Sequence, residues 1–283
     1  MGNSAVVVAD LHLHSTFSDG VMTPTELVEQ AAARGLQVIA LTDHDTLAGY
    51  EEAARAGQRL GVTVLPGIEV SCYELGHELH VLGYGVAADD ARLWEHARQA
   101  RERRLRRLER MVGHCRRLGL SLTLDDVAEM AVGDMLGRPH LAAALVQRGY
   151  CENFREAFAR YLEPGRPAYE PPEAFPVVRA LGLIHAAGGI AIIAHPRRSL
   201  LAPRLLLSLL RRGFDGLEAV HPSHRPAVRQ YYTTLARCHR LVVTGGSDFH
   251  GTRPYDETNF GTVGLTQEEF HAVHARLSAW AVL

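Results

Sequence analysis

Short β-branched apolar runs at residues 5–11, 37–42, 62–68, 78–84, 189–194, 215–220 and 240–245 alternate with segments in which apolar residues return every three or four positions. The runs suit strands and the longer period suits helices with one buried face, so the pattern predicts βα units and a largely parallel sheet. The first helix is predicted to begin at Thr23-Pro24-Thr25-Glu26, where Thr23 caps and Pro24 suits the first turn, and to end near Gly35. Further helices are expected at 173–187, 201–212 and 225–238. Seven parallel strands with outer helices describe an α/β fold, an incomplete or distorted barrel whose catalytic groups gather at the C-terminal ends of the strands.

The alternation breaks between the fourth and fifth strands. From Asp89 to Leu118, and again in LTLDDVAEMA, RPHLAAALVQRG and ENFREAFARYL, the chain reads as helices only. This divides the protein into a barrel, 1–86 and 171–283, and a small all-helical insertion, 87–170, hung at the rim. Leu105, Leu108, Met111, Val112 and Cys115 recur mostly at helical steps and predict a packed face. Arg101, Arg103, Arg104, Arg106, Arg107 and Arg110, mixed with Glu102 and Glu109, are expected to form a solvated one.

Metal-ligand side chains recur where the apolar runs end. His12 and His14 close the first run and Asp248 and His250 follow the last, each pair two residues apart and so able to aim at one centre. Asp19, His44, Glu69, His80 and His195 lie between them, making nine such groups. A lone HxH is commonly a core feature; nine near strand ends predict a multinuclear metal site. Imidazoles and carboxylates without thiolates suit Zn, Mn or Fe. Glu69 can bridge two ions, which would hold a hydroxide formed from water at neutral pH as the nucleophile toward a phosphate ester. No GxSxG elbow, GxxxxGK[ST] phosphate loop or GxGxxG fingerprint occurs.

Composition narrows the setting. The 283 residues carry 30 basic and 32 acidic groups, a formal charge of −2, which gives no overall excess for a polyanion. Every basic residue is Arg, so Arg enrichment is discounted as a sign of phosphate binding. Cys72, Cys115, Cys151 and Cys238 form no CxxC pair, which favours a reducing compartment. The opening VVVAD run is too short for a signal sequence, and no stretch of about 18 apolar residues spans a bilayer. A soluble cytoplasmic enzyme is expected, with no membrane and no obligate protein partner.

D-L-H-L-H-S-x-x-S-D-G, then T-D-H-D, G-I-E-V-S, H-V-L-G-Y, A-H-P and S-D-x-H, closely resembles the PHP (polymerase and histidinol phosphatase) family of metal-dependent phosphoesterases. The resemblance spans the barrel motifs from end to end. It implies a distorted (β/α)7 barrel with three divalent metal ions at its mouth. By motif position, His12, His14, Glu69 and Asp248 would hold the first, Glu69, His80 and His195 the second, and Asp19, His44 and His250 the third. Glu69, His195 and Asp248 would act catalytically through them. L-G-R-P-H-L-A-A-A-L-V and A-F-A-R-Y-L-x-x-G-R-P-A-Y are similar to the branch with 3′,5′-nucleoside bisphosphate phosphatases, AMP-related enzymes and 5′-to-3′ exoribonucleases. This implies a small nucleotide, or a short RNA or DNA end, as substrate. Arg138 and His140 would then bind phosphate, and Arg197, where many relatives have Gly, would either crowd the pocket or add a phosphate contact.

Other positions invite smaller expectations. Arg138-Pro139-His140 also reads as a plain helix start. Asp43 and Asp45 flank His44 as orienting partners or turn residues, while Glu218 and His221, ending the sixth strand, would touch substrate or protonate the leaving group. His77, His96, His114, His185, His224, His239, His271 and His274 lack strand-end context and read as ordinary. The rival readings are a histidinol-phosphate phosphatase, disfavoured by the RPH-bearing insertion, and a non-catalytic PHP interaction module, disfavoured by the intact ligand set. An amidohydrolase-type barrel often needs a carbamylated Lys, which this chain lacks.

Overall fold

The computed structural model describes residues 6–74, 76–131, 133, 135–196 and 203–280, so Arg197 lies outside the described residues. The chain forms β1 (Val7–Leu13), α1 (Pro24–Ala33), β2 (Val38–Leu41), α2 (Tyr50–Leu60), β3 (Thr63–Glu74) and β4 (His77–Tyr84). Helices α3 (Ala91–Arg117), α4 (Leu124–Ala128), α5 (Arg138–Gln147) and α6 (Phe154–Ala157) follow, with a π-helical turn at Phe158–Leu162. The alternation then resumes through α7 (Val177–Ala186), β5 (Ile190–Ile193), α8 (Pro203–Leu210), β6 (Gly216–Val220), α9 (Pro226–Cys238) and β7 (Val242–Gly245). The chain closes with α10 (Asp256–Asn259), β8 (Leu265–Thr266) and α11 (Gln267–Trp280).

The sheet runs β7-β6-β5-β4-β3-β2-β1-β8. A parallel bridge from Leu13 to Phe249, with the His14 amide donating to the Phe249 carbonyl at 3.0 Å, draws the β7 end back to β1 and nearly closes a barrel. Helix α1 has the predicted box: the Thr23 side chain accepts from the Glu26 amide while Glu26 accepts from the Thr23 amide. Ile68, Ile184, Ile193 and Leu217 pack in one core cluster, and Leu11, Leu82, Ile190 and Ile192 in another.

Two features of the sheet differ from the sequence expectation. β4 pairs antiparallel with both β3 and β5, whereas seven parallel strands were expected. The reason is chain length: Glu74 pairs directly with His77, and the intervening two residues permit a hairpin but no parallel crossover, which needs a dozen or more. β4 therefore has its N-terminal half at the mouth, which brings His80 to the same end as the C-terminal ends of the parallel strands. The second difference is β8, a two-residue strand antiparallel to β1 and too short to leave a periodic signal.

Residues 91–162 contain only helical elements among those described and share a hydrophobic cluster that includes Leu108, Met111, Val112, Cys115, Leu141 and Leu145. Leu105, expected on that packed face, is exposed. The expected solvated arginine face is also partly wrong. Arg104 donates to Asp45 and to the Ser71 hydroxyl, and Arg107 donates to Glu78 and the Glu170 carbonyl, so both are tied down toward the barrel. Among the described residues no helix is long and apolar enough to cross a membrane.

Candidate metal centre

β1 carries Asp10 and His12 on one face and hands the chain on to His14, with both imidazoles fully buried. The segment leaving β7 presses on β1 at Gly246, where an added Cβ would lie 2.5 Å from the His12 Cβ and 2.7 Å from Asp10 Oδ1. Only glycine fits there. The Ser247 amide donates to Asp10 Oδ1 at 2.9 Å, which locks the approach of Asp248 and His250. Asp248 itself sits at φ 52°, a left-handed conformation that Asp tolerates better than most residues.

Glu69 is the hub of the site and is almost wholly buried. Its Oε2 faces His14 Nε2 at 3.2 Å, His12 Nε2 at 3.4 Å and His44 Nδ1 at 3.1 Å. Its Oε1 faces His80 Nδ1 at 2.8 Å and His195 Nε2 at 3.0 Å. Asp248 Oδ1 lies 3.5 Å from His12 Nε2 and 3.4 Å from His14 Nε2. On the far side Asp19 meets His250 Nε2 at 3.3 Å and His44 Nε2 at 3.9 Å. All nine side chains singled out from the sequence thus converge. Their donor atoms fall into four overlapping groups, each within 4.8 Å: His14, Asp19, His44 and His250; His12, Glu69 and His195; His12, His14 and Asp248; and His44, Glu69 and His80.

The donor set fits metal cations. His12 Nε2, both His14 nitrogens, His44 Nδ1, Asp19 Oδ1 and Glu69 Oε2 are buried without a hydrogen-bond partner, an arrangement that costs stability unless a cation satisfies it. Burial pushes the His44 imidazolium down to about 3 and the His195 imidazolium to about 4, so both rings are neutral, the form in which they ligate. At His14 burial acts in the same direction, but the Asp248 and Glu69 carboxylates, 3.4 and 3.2 Å from its Nε2, overcome it and raise the ring to about 9. In the metal-free protein these carboxylates draw a proton onto His14 that a metal must displace.

A surrounding set of contacts orients the cluster. Glu218, fully buried on β6, accepts from His12 Nδ1 at 2.9 Å through Oε1 and from the His195 amide at 2.6 Å through Oε2. It therefore presents the opposite nitrogen of His12 to the centre, and its zero exposure corrects the expectation that it meets substrate. His221 Nε2 lies 3.3 Å from Asp248 Oδ2, and Arg253, which the sequence reading passed over, donates to the same oxygen at 2.8 Å. Its position three residues beyond His250 was the available signal.

Neither Asp43 nor Asp45 has a hydrogen bond to His44 among those described. Asp43 accepts from the Ser15 amide and hydroxyl and from the Ser18 hydroxyl, which holds the loop bearing Asp19. Asp45 accepts from Arg104, His96 and the Ser71 amide; burial opposes its ionisation, but Arg104 and His96 keep it well below the usual carboxylate range. His96, read as ordinary, belongs to this buried contact. Arg138 does begin α5, as the plain reading held, yet its guanidinium turns to Glu78 and lies 5.9 Å from the rings of both Phe158 and Tyr169. His140 is buried and accepts from the Gly137 amide at 3.0 Å.

The family model for the PHP domain matches residues 10–164. The chain is 37% identical over 246 residues to a 3′,5′-nucleoside bisphosphate phosphatase of Chromobacterium violaceum, covering 85% of this chain and 86% of that protein. It is 33% identical over 259 residues to the 5′-3′ exoribonuclease Rnm of Escherichia coli, covering 89% and 88%. A solved structure from Bifidobacterium adolescentis, assigned to the metal-dependent phosphoesterases, superposes with a TM-score of 0.84 at 34% identity over 95% of this chain and 96% of the other.

Proposed function

The chain belongs to the PHP domain family of metal-dependent phosphoesterases, and from that premise we propose that it hydrolyses a phosphate ester of a small nucleotide: a 3′,5′-nucleoside bisphosphate, AMP, or a short 5′-phosphorylated oligonucleotide. The observation that carries the reading is Glu69, whose two carboxylate oxygens face five imidazoles from four different segments.

We assign three divalent ions, Mn, Fe or Zn, to the centre. His12, His14, Glu69 and Asp248 would hold the first, Glu69, His80 and His195 the second, and Asp19, His44 and His250 the third. The overlapping donor groups and the orphaned buried atoms support this assignment. Bound ions of this kind neutralise phosphoryl oxygens and activate water. The chain's own residues do the positioning. Glu218 holds His12 in one tautomer and fixes the backbone at His195, Arg253 and His221 orient Asp248, and Asp43 clamps the loop that supplies Asp19.

Residues 87–170 act as a helical insertion domain that contributes to substrate binding, with Arg138 and His140 receiving a phosphate away from the reacting one. Arg197 and His221 complete the assigned substrate contacts. Four free cysteines and a balanced charge are consistent with work in the cytoplasm without an obligate protein partner. The test is a turnover screen of Mn-loaded protein against AMP, a 3′,5′-bisphosphate, a 5′-phosphorylated dinucleotide and histidinol phosphate. Preference for a nucleotide is expected; exclusive turnover of histidinol phosphate would overturn the reading.

A further inference from the structure

The sheet order runs from β7 through β4 to β1, and the Leu13–Phe249 bridge brings the β7 end round to β1, so β4 and the segment leaving β7 face each other across the mouth. Arg138 stands on the β4 side, where it donates to Glu78, two residues before His80. On the opposite rim the chain carries Asp248 and His250, then Arg253 and Tyr255. Arg253 donates through Nη1 to Asp248 Oδ2 at 2.8 Å and to the Asp248 carbonyl at 3.2 Å. Its Nε and Nη2 have no acceptor among the described residues, which leaves donors for a ligand. Tyr255 lies within electrostatic reach of that guanidinium. Val21, whose amide donates to the His250 carbonyl at 2.9 Å, flanks the same loop. Both apolar side chains are half exposed, Tyr255 at 49% and Val21 at 52%. Gly251 makes room for Val21, because a Cβ there would lie 2.3 Å from Val21 Cγ2. Asp256, fully buried, fixes the loop by accepting through Oδ2 from the amides of His250, Thr252 and Arg253 at 3.3, 3.1 and 3.1 Å. The rim is therefore organised before a ligand arrives.

We propose that this rim is the subsite for the nucleoside on the 3′ side of the reacting phosphate, with its base stacked on Tyr255. It extends the substrate from a nucleoside bisphosphate to the 5′ end of a single-stranded oligonucleotide. The inference rests on the reading that Arg138 receives a phosphate away from the reacting one. With the 5′-phosphate at Arg138, the phosphorus at the metal centre is the one on O3′ of the same nucleoside. Water adds its oxygen to that phosphorus, the P–O3′ bond breaks, and O3′ takes the proton. The same step serves a 3′,5′-bisphosphate, whose phosphorus carries a free oxygen, and an oligonucleotide, whose phosphorus carries O5′ of a second nucleoside. The anchored nucleoside and the leaving oxygen are common to both. What distinguishes them is a group that projects from the metal centre away from Arg138, which is the side of β7. An exposed aromatic beside a cation with unused donors suits a base and its following phosphate, and does so for any base, because every base has a π face.

The experiment measures kcat/KM in Mn-loaded wild type, Tyr255→Ala and Tyr255→Phe for substrates that share 5′-phosphoadenosine: the 3′-phosphate, the 3′-(methyl phosphate) and 5′-phosphorylated ApA. The methyl diester has the reacting-phosphate charge of the dinucleotide but no second base. Wild type should cleave the dinucleotide roughly five- to 150-fold better than the methyl diester, the range for one base–aromatic stack. Tyr255→Ala should erase that ratio and Tyr255→Phe should keep it, an outcome that a merely structural role for Tyr255 would not produce. Calorimetric binding of the two diesters to the metal-free proteins should follow the same order. The wild-type ratio needs no variant and remains decisive if Tyr255→Ala fails to fold. Wild type that cleaves none of the substrates would overturn the nucleotide reading and this inference with it. Wild type that cleaves the bisphosphate but not the dinucleotide, or both diesters equally, would overturn this inference alone. So would a dinucleotide preference that is unmoved in folded Tyr255→Ala.

Discussion

Replacing Glu218 by Gln should weaken metal binding without opening a cavity. The carboxylate accepts from two buried donors at once, His12 Nδ1–H at 2.9 Å and the His195 amide at 2.6 Å. Gln keeps the shape but has one acceptor oxygen and one NH₂ group, so one buried donor must face another donor. Leaving such a group unsatisfied costs about 1–3 kcal/mol. If the NH₂ faces His12, the ring relieves the clash by moving its proton to Nε2, the nitrogen turned toward Glu69 and Asp248. That tautomer cannot ligate through Nε2. Loss of a partner that orients a ligand typically lowers metal affinity or activity 10–100-fold. The assay is metal stoichiometry and affinity by calorimetry, with kcat/KM on the same preparations and circular dichroism to verify the fold. Metal affinity within about threefold of wild type, the margin below that range, would refute the positioning argument. A fall in kcat alone, with the alkaline limb of the pH profile lost, would return Glu218 to the role of leaving-group acid.

Other outcomes follow from the same geometry. Glu69→Gln removes the charge that five imidazoles share and should abolish ordered metal uptake, whereas Asp45→Asn should mainly lower the melting temperature by loosening Arg104 and His96; equal metal loss in the two variants would count against Glu69 as the hub. His14 is raised from 6.5 to about 9 in the metal-free protein, so its contribution to stability is fully present below pH 6.5 and is lost as pH rises through about 9. Over that window metal affinity should rise with pH, and calorimetry in buffers of different ionisation enthalpy should register proton release; binding without proton release would contradict it. Hydrolysis in heavy-oxygen water should label the released phosphoryl product, and trapping a phosphorylated side chain would exclude direct attack by water.

The candidate ligand types and their places at the ends of apolar runs were legible in the sequence, because strand alternation is local and a polar residue that closes a buried strand must face a mouth or a partner. The helix start at Thr23 was legible for the same reason, since its reciprocal cap with Glu26 spans only three residues. Misread positions depended on distant chain. Arg104 and Arg107 looked like part of a solvated face because helical period reports which residues share a side, but not what that side meets. Glu218 looked like a substrate contact because its partner His12 lies 206 residues away.

By itself the sequence determined an α/β alternation, an inserted run of helices and a set of nine imidazole and carboxylate side chains of metal-ligand type, without thiolates. Only the tertiary structure decided that β4 runs backward, that both oxygens of Glu69 are shared, and that Glu78 stands between Arg107 and Arg138. The physical reason is one of range. Periodicity and capping come from neighbours along the chain, whereas the charge and tautomer of a buried group are set by whichever side chains closure of the barrel and docking of the helices bring within hydrogen-bonding distance.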